Sequence, residues 1–205
     1  MCRRERRRTH NLLALSAILA LACGGAQKAS SPKQDCSGGK IWHSDDAERL
    51  RGCTHVTGDL HIGGALDAAT DLEGLVSVEG DLVIGPSYQF IDASALGTLE
   101  RVGGTLRVAE NWRLQGLFLG SLQTVGGALE VVDNASLATC ALHTLESFAA
   151  LRIEGNRQLQ RLDLSGLDED GPVGVVDGPA LEDVLAPDRI QRGAKPSAET
   201  RAKGS

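Results

Sequence analysis

The chain has 205 residues, 41% apolar and 3% aromatic, with 21 Lys and Arg against 27 Asp and Glu for a net charge of −6. Nucleic-acid binding needs a concentrated basic footprint, and this balance speaks against it. Five cysteines fall in segments of different character and need separate accounts.

At the amino terminus, Arg3, Arg4, Arg6, Arg7 and Arg8 precede an apolar run from Leu12 to Ala22, broken only by Ser16. Its 11 residues are too few to span a bilayer, and the layout is that of a secretory signal over residues 1–22. The run ends Leu19-Ala20-Leu21-Ala22-Cys23-Gly24, which resembles the lipobox of bacterial lipoproteins. That resemblance implies cleavage before Cys23 and lipid modification of its thiol, and Gly24 leans the address toward the outer membrane or cell surface. An ordinary export signal with an incidental Cys is the alternative. Removal of the signal takes five arginines and one glutamate, leaving 16 basic against 26 acidic residues and a net charge of −10. Docking on anionic lipid through charge is therefore disfavoured as well. Residues 23–35, rich in Gly, Ala and Ser, read as a flexible tether.

Cys36 and Cys53 bracket a segment in which Ser44 or Asp45 can cap a short helix and Gly52 can end it. An array of stacked units must cover the open end of its core. The segment therefore reads as an amino-terminal cap stapled by a Cys36–Cys53 disulfide, which an exported chain permits. Zinc is the competing use of Cys36, His43, Cys53 and His55, although no compact Cys-x-x-Cys spacing is present.

From there an apolar pair recurs. Units start at Leu60, Leu82, Leu106, Leu129, Leu151 and Val173, at steps of 22, 24, 23, 22 and 22 residues. A second apolar residue follows two places on (Ile62, Ile84, Val108, Val131, Ile153, Val175), the alternation of a strand with one buried face. Apolar residues also recur eight and eleven places on, and four and seven places before each start. Such a period marks about six coils of an all-β solenoid sharing one Leu/Val/Ile core. Gly58, Gly80, Gly104 and Gly127 precede the strands by two residues, where positive φ or close backbone approach is expected. Five places after the starts come Asn111, Asn134 and Asn156, with Ser87 and Gly178 in the flanking units; these short amides read as an internal ladder, with ligand binding the alternative. Asn134-Ala135-Ser136 matches a glycosylation sequon, but the ladder already accounts for the Asn. Cys140 shares an inward offset with Leu117 and Leu162 and reads as a buried free thiol. The tail, residues 186–205, carries +3 and no apolar period, and is expected to be disordered.

Cys53-Thr54-His55-Val56-Thr57-Gly58-Asp59-Leu60-His61-Ile62, with its echoes at Leu75–Ile84 and Leu122–Val131, resembles the receptor L domain. This is the ectodomain module of the epidermal growth factor and insulin receptors, with relatives among bacterial lipoproteins. The resemblance covers residues 36–185. It implies a right-handed, single-stranded parallel β-helix, akin to leucine-rich repeats, that binds rather than catalyses.

No nucleophile elbow, phosphate loop or His-Glu-x-x-His motif is present. Asp168-Glu169-Asp170-Gly171 lacks the alternating ligands of a calcium loop. The outward row His61, Val83, Arg107, Glu130, Arg152, Gly174 places one carboxylate between two guanidiniums, a charge ladder rather than an acid/base pair. Six places after the starts come Leu66, Tyr88 and Trp112, so Tyr88 and Trp112 should stack on an outer corner, where with Leu66 they form a candidate ligand-binding patch; the alternative is that they only cover the corner turn. The sequence thus points to a lipid-anchored envelope protein, a monomeric, non-catalytic module binding a protein or glycan without cofactor or metal. A carbohydrate-active β-helix enzyme and a purely structural envelope component are the alternatives.

Overall fold

A computed structural model describes residues 34–65, 72–91, 93–167, 174–176, 178–187 and 190–192. The chain enters through β1 (Asp35–Ile41) and α1 (Ser44–Glu48), then β2 (His55–Gly64), β3 (Ser77–Val78) and β4 (Leu82–Ser87). β5 (Arg101–Val102), β6 (Leu106–Ala109), β7 (Gly116–Phe118), β8 (Thr124–Val125) and β9 (Ala128–Val132) follow. The remaining strands are β10 (Thr139–Ala141), β11 (Ala150–Glu154), β12 (Arg161–Asp163), β13 (Gly174–Val176), β14 (Asp183–Leu185) and β15 (Ile190–Arg192).

All the strand pairs are parallel, and each joins one coil to the next. The principal row runs β2-β4-β6-β9-β11-β13-β15, with β1 on the far side of β2. The first half of β2 also starts a second row, β3-β5-β8, so the long strand bends where later coils break into two. A third row is β7-β10-β12-β14. The period read from the sequence is the register itself. Leu60 pairs with Leu82, Leu82 with Leu106, Leu106 with Leu129, and Leu129 with Leu151. In the third row Leu117, Cys140, Leu162 and Val184 align. Val56, Val78, Val102 and Val125 align in the second. These inward residues form one apolar column, in which Leu82, Leu106, Val108, Leu117, Leu129 and Cys140 are fully buried. Complete burial of a Leu or Val contributes about 1.5–3 kcal/mol, and no single coil could bury both sides of its own residues.

The cap is more elaborate than a stapled helix. β1 pairs in parallel with β2, from Asp35↔His55 to Ile41↔Ile62, covering that strand's edge. Strand pairing therefore begins at Asp35, inside the expected tether. Ile41, Ala47 and Leu50 close the end of the core. Cys36 and Cys53 are disulfide-bonded, with Cα atoms 6.0 Å apart, which removes both sulfurs from the zinc alternative. The helix is capped by His43, not by Ser44 or Asp45. The Asp46 carboxylate reaches back to accept the N–H groups of Trp42 at 3.0 Å and His43 at 3.1 Å, drawing the helix start one residue earlier. The bond from Trp42 holds the Asp46 carboxyl below its ordinary pKa. Beyond the helix, Gly52 takes φ +78° and turns the chain toward β2.

At the other end the register differs from the sequence reading. Leu151 pairs with Gly174, Arg152 with Val175 and Ile153 with Val176. The sixth unit thus starts at Gly174 rather than Val173, Val175 lies opposite the outward Arg152, and Val176 enters the core. A Cβ at Gly174 would press on the Leu151 side chain and force it to shift, so Gly fits there and no apolar residue marks the position. The fold also runs past residue 185, because β15 pairs with β13 inside the segment expected to be a disordered tail.

Candidate functional site

The turn between the first and third rows repeats a three-residue pattern. The first residue adopts the left-handed conformation: Glu110 at φ 59°, Asp133 at φ 54° and Gly155 at φ 69°. That sharp bend points the next residue inward, and Asn111, Asn134 and Asn156 are fully buried. The third residue turns out again, giving Trp112, Ala135 and Arg157, all exposed.

The Asn column holds the corner together. Asn134 Nδ2 donates to Val108 O at 2.9 Å and Val132 O at 3.2 Å, tying its own coil to the preceding one. Asn156 Oδ1 accepts the Asn134 backbone N–H at 2.9 Å and its Nδ2 at 3.2 Å. With its amide consumed and its side chain buried, Asn134 is closed to glycosylation. The column ends at Asn111, whose Oδ1 is buried without a hydrogen-bond partner. The donor an extended column would use, the Ser87 N–H, goes to Glu110 O at 3.2 Å. Ser87 Oγ turns away to donate to Gly64 O at 2.9 Å.

Upon this frame stand Tyr88 and Trp112, 68% and 56% exposed. Their ring centroids lie 5.6 Å apart with planes inclined by 28°, a stacked pair. The expected corner stack is present. The Trp112 backbone is fixed from both sides, its N–H donating to Ser87 O at 3.0 Å and its carbonyl accepting Ser136 Oγ at 2.7 Å. Cys23 and Leu66 lie outside the described residues.

Beside Trp112 a shallow groove of about 310 Å³ is lined by Glu110, Trp112, Asp133, Ala135, Gly155 and Arg157. Ala135 leaves room between the outer residues of the coils on either side. The side chains of Glu110 and Arg157 have no hydrogen-bond or ion-pair partner among the described residues. Asp133 acts on Arg152 only through space. The sequence reading did not single out Glu110 or Asp133. Their signal was nonetheless present, since each immediately precedes a ladder Asn where the following coil has Gly155-Asn156.

Several polar groups elsewhere are occupied by the fold. Glu130 pairs with Arg107, but Arg152 pairs with Glu154 on its own strand, so the expected alternating ladder splits into two separate pairs. The Glu154 carboxylate raises the Arg152 pKa further. His61 Nε2 lies 2.7 Å from Gly85 O, to which it can only donate, and its ring sits 5.1 Å from Trp42. A second, unanticipated ladder runs along the bend between the first two rows. Asp59 Oδ1 accepts the Asp81 N–H at 2.9 Å, and Asp81 Oδ1 accepts the Thr105 N–H at 2.6 Å. Among the described residues no cluster of His, Cys, Asp and Glu could hold a metal ion. Burial pushes the Cys140 thiol pKa up to about 12, a value unsuited to a nucleophile.

Compared with known proteins, the chain matches no family model, no curated protein and no solved structure.

Proposed function

We propose that this chain is a non-catalytic binding module of a bacterial envelope, exported and held at the membrane by a lipid on Cys23. Its ligand docks on the outer corner at Tyr88 and Trp112. One observation carries the reading: two of only six aromatic residues stack with most of their surface in water, and the Trp112 backbone is held from both sides by Ser87 and Ser136. Rigid, exposed aromatics give large contact area at low entropic cost and recur as anchors in interfaces. The resemblance to receptor L domains and the lipobox-like Leu19–Gly24 support the same reading from the sequence.

Capture from solubilised envelope by the full chain, beside Tyr88→Ser/Trp112→Ser, tests the corner. Loss of a partner by the double variant with an unchanged melting temperature is expected, and equal capture by both overturns it. A mature protein beginning anywhere but at Cys23 overturns the anchor. Cleavage of a polysaccharide by the purified protein overturns the non-catalytic part.

A further inference from the structure

We infer that the outward face of the third row, β7-β10-β12-β14, is a self-docking surface that joins two copies of this chain side by side, rather than leaving it monomeric. The pair is related by a two-fold axis parallel to the solenoid. The inference goes beyond the ligand at the Tyr88–Trp112 corner and does not rest on it.

The column Leu117, Cys140, Leu162 and Val184 belongs to the core side, so the residues on either side of it point out. Register sets them in two straight columns. Gly116, Thr139, Arg161 and Asp183 form one, and Phe118, Ala141, Asp163 and Leu185 form the other. Phe118 and Leu185 are 48% and 52% exposed, two of the four large hydrophobic side chains in water among the described residues. The Phe118 ring lies flat across its own Gly116, filling the space a Cβ there would need. Small side chains, Thr139 and Ala141, come next, so this end of the face is smooth and apolar. Apolar surface of this kind marks an interaction site.

The charges on the face say which partner fits. In the first row the fold neutralises its own charges, Arg107 with Glu130 and Arg152 with Glu154. On β12, by contrast, Arg161 and Asp163 stand two residues apart and form no ion pair with each other. Arg161 reaches only the Thr139 hydroxyl, at 3.5 Å, and Asp163 accepts the Ser165 N–H at 3.0 Å. A two-fold interface places the same patch on both sides, so it must be complementary to itself. An axis along the solenoid, midway between the two columns, keeps the coils level and exchanges the columns. Arg161 then faces Asp163 of the second copy, Asp163 faces its Arg161, Thr139 faces Ala141, and the two Phe118 rings meet across the axis. Asp183 and Leu185 fall on the last coil, at the rim. An axis across the coils would instead set Arg161 over Thr139 and Asp163 over Ala141, with both charges unmatched. Four strands about 4.8 Å apart make a small patch, so the pair belongs with transient interfaces of less than about 1,200 Å².

Sedimentation of the purified full chain from about 10 µM to about 1 mM should show a concentration-dependent dimer. Arg161→Asp and Asp163→Arg should each weaken it about tenfold or more, because like charges then face each other. Mixed in equal amounts, the two variants should recover the dimer, since one copy presents two acids and the other two bases. Ala141→Glu, which leaves the Asp163–Ser165 bond in place, should also abolish it without lowering the melting temperature. A wild-type chain that stays monomeric throughout, wild-type-like dimerisation of any of the three variants, or a mixture no more dimeric than its components overturns the inference. Capture of a partner through Tyr88 and Trp112 is read separately, so the corner and the self-docking face stand or fall independently.

Discussion

Asn134 Oδ1 accepts two hydrogen bonds from Asn111 in the neighbouring coil, from its backbone N–H at 3.1 Å and its side-chain Nδ2 at 3.0 Å. The same side chain donates to Val108 O of the preceding coil and Val132 O of its own, so both polar atoms of the Asn134 side chain reach across coils in the dry interior. The two residues are chemically identical and positioned alike, yet they are not equivalent in energy, because Asn111 Oδ1 has no partner.

Replacing Asn134 by Ala leaves buried donors and acceptors unpaired on both adjoining coils and should cost about 3 kcal/mol. Asn111→Ala also frees Ile84 O and Ala109 O, but it removes an oxygen that was already orphaned, and should cost less. Denaturant unfolding of both variants checks the order; equal losses would mean that the orphan carries no penalty.

The cap disulfide closes a loop of 17 residues in sequence separation. Cys53→Ala should lower stability by about 3 kcal/mol, and reduction of the wild-type protein should have a similar effect. If neither treatment moves the melting temperature, β1 pairing and the helix alone secure that end.

Cys140 makes stability depend on alkaline pH. Its thiol is held protonated in the fold up to about pH 12, while the unfolded chain ionises near 9. The folded pKa is the higher one, so this contribution is intact below pH 9 and is lost between 9 and about 12. In that window the unfolded state binds fewer protons, and stability should fall by about 1.4 kcal/mol per pH unit. Cys140→Ala should abolish the slope attributable to this thiol despite its cavity penalty. Alkylation of native Cys140 should be slow, and labelling as fast as that of a free thiol would contradict its burial.

Two glycines that look alike in the repeat should respond differently to alanine. Gly58 has φ +76° and open space around its Cα, so Gly58→Ala carries only conformational strain, about 1 kcal/mol. Gly80 has no positive φ, but a methyl there would run into the Asp59 carboxylate and the Gly58 backbone. Gly80→Ala should cost more, about 3 kcal/mol, and should disturb the Asp59–Asp81 bond. A thermal melt of the two variants ranks them.

The coil period was legible because packing repeats it: Leu82 must meet Leu106 and Leu129, and the chain has to supply them on time. The Tyr88–Trp112 stack was legible for the same reason, since one offset in parallel coils is one place in space. What escaped detection had no apolar mark. The last coil slipped by one because Gly174 fits beneath Leu151 by lacking a side chain. The pairing of β1 was hidden in Ser37, Gly38 and Gly39, whose role is backbone contact. Asp46 capped the helix from within the first turn, where sequence alone favours the residue in front of it. Glu110 and Asp133 went unnoticed because charged residues at turns are ordinary, and only their dihedral angles set them apart.

The left-handed corner has a consequence for how this molecule can change. Core identity is spelled by the strands and the Asn column, whereas the residues flanking each Asn touch little of either. Substitutions at Ala135 or Arg157 should therefore change unfolding little, whereas Glu110 and Asp133 sit at positive φ and accept Gly or Asn best, and neighbours lining one groove will couple rather than add. The corner is a keyboard on a fixed frame: the ligand can be rewritten one coil at a time while the frame stays in tune.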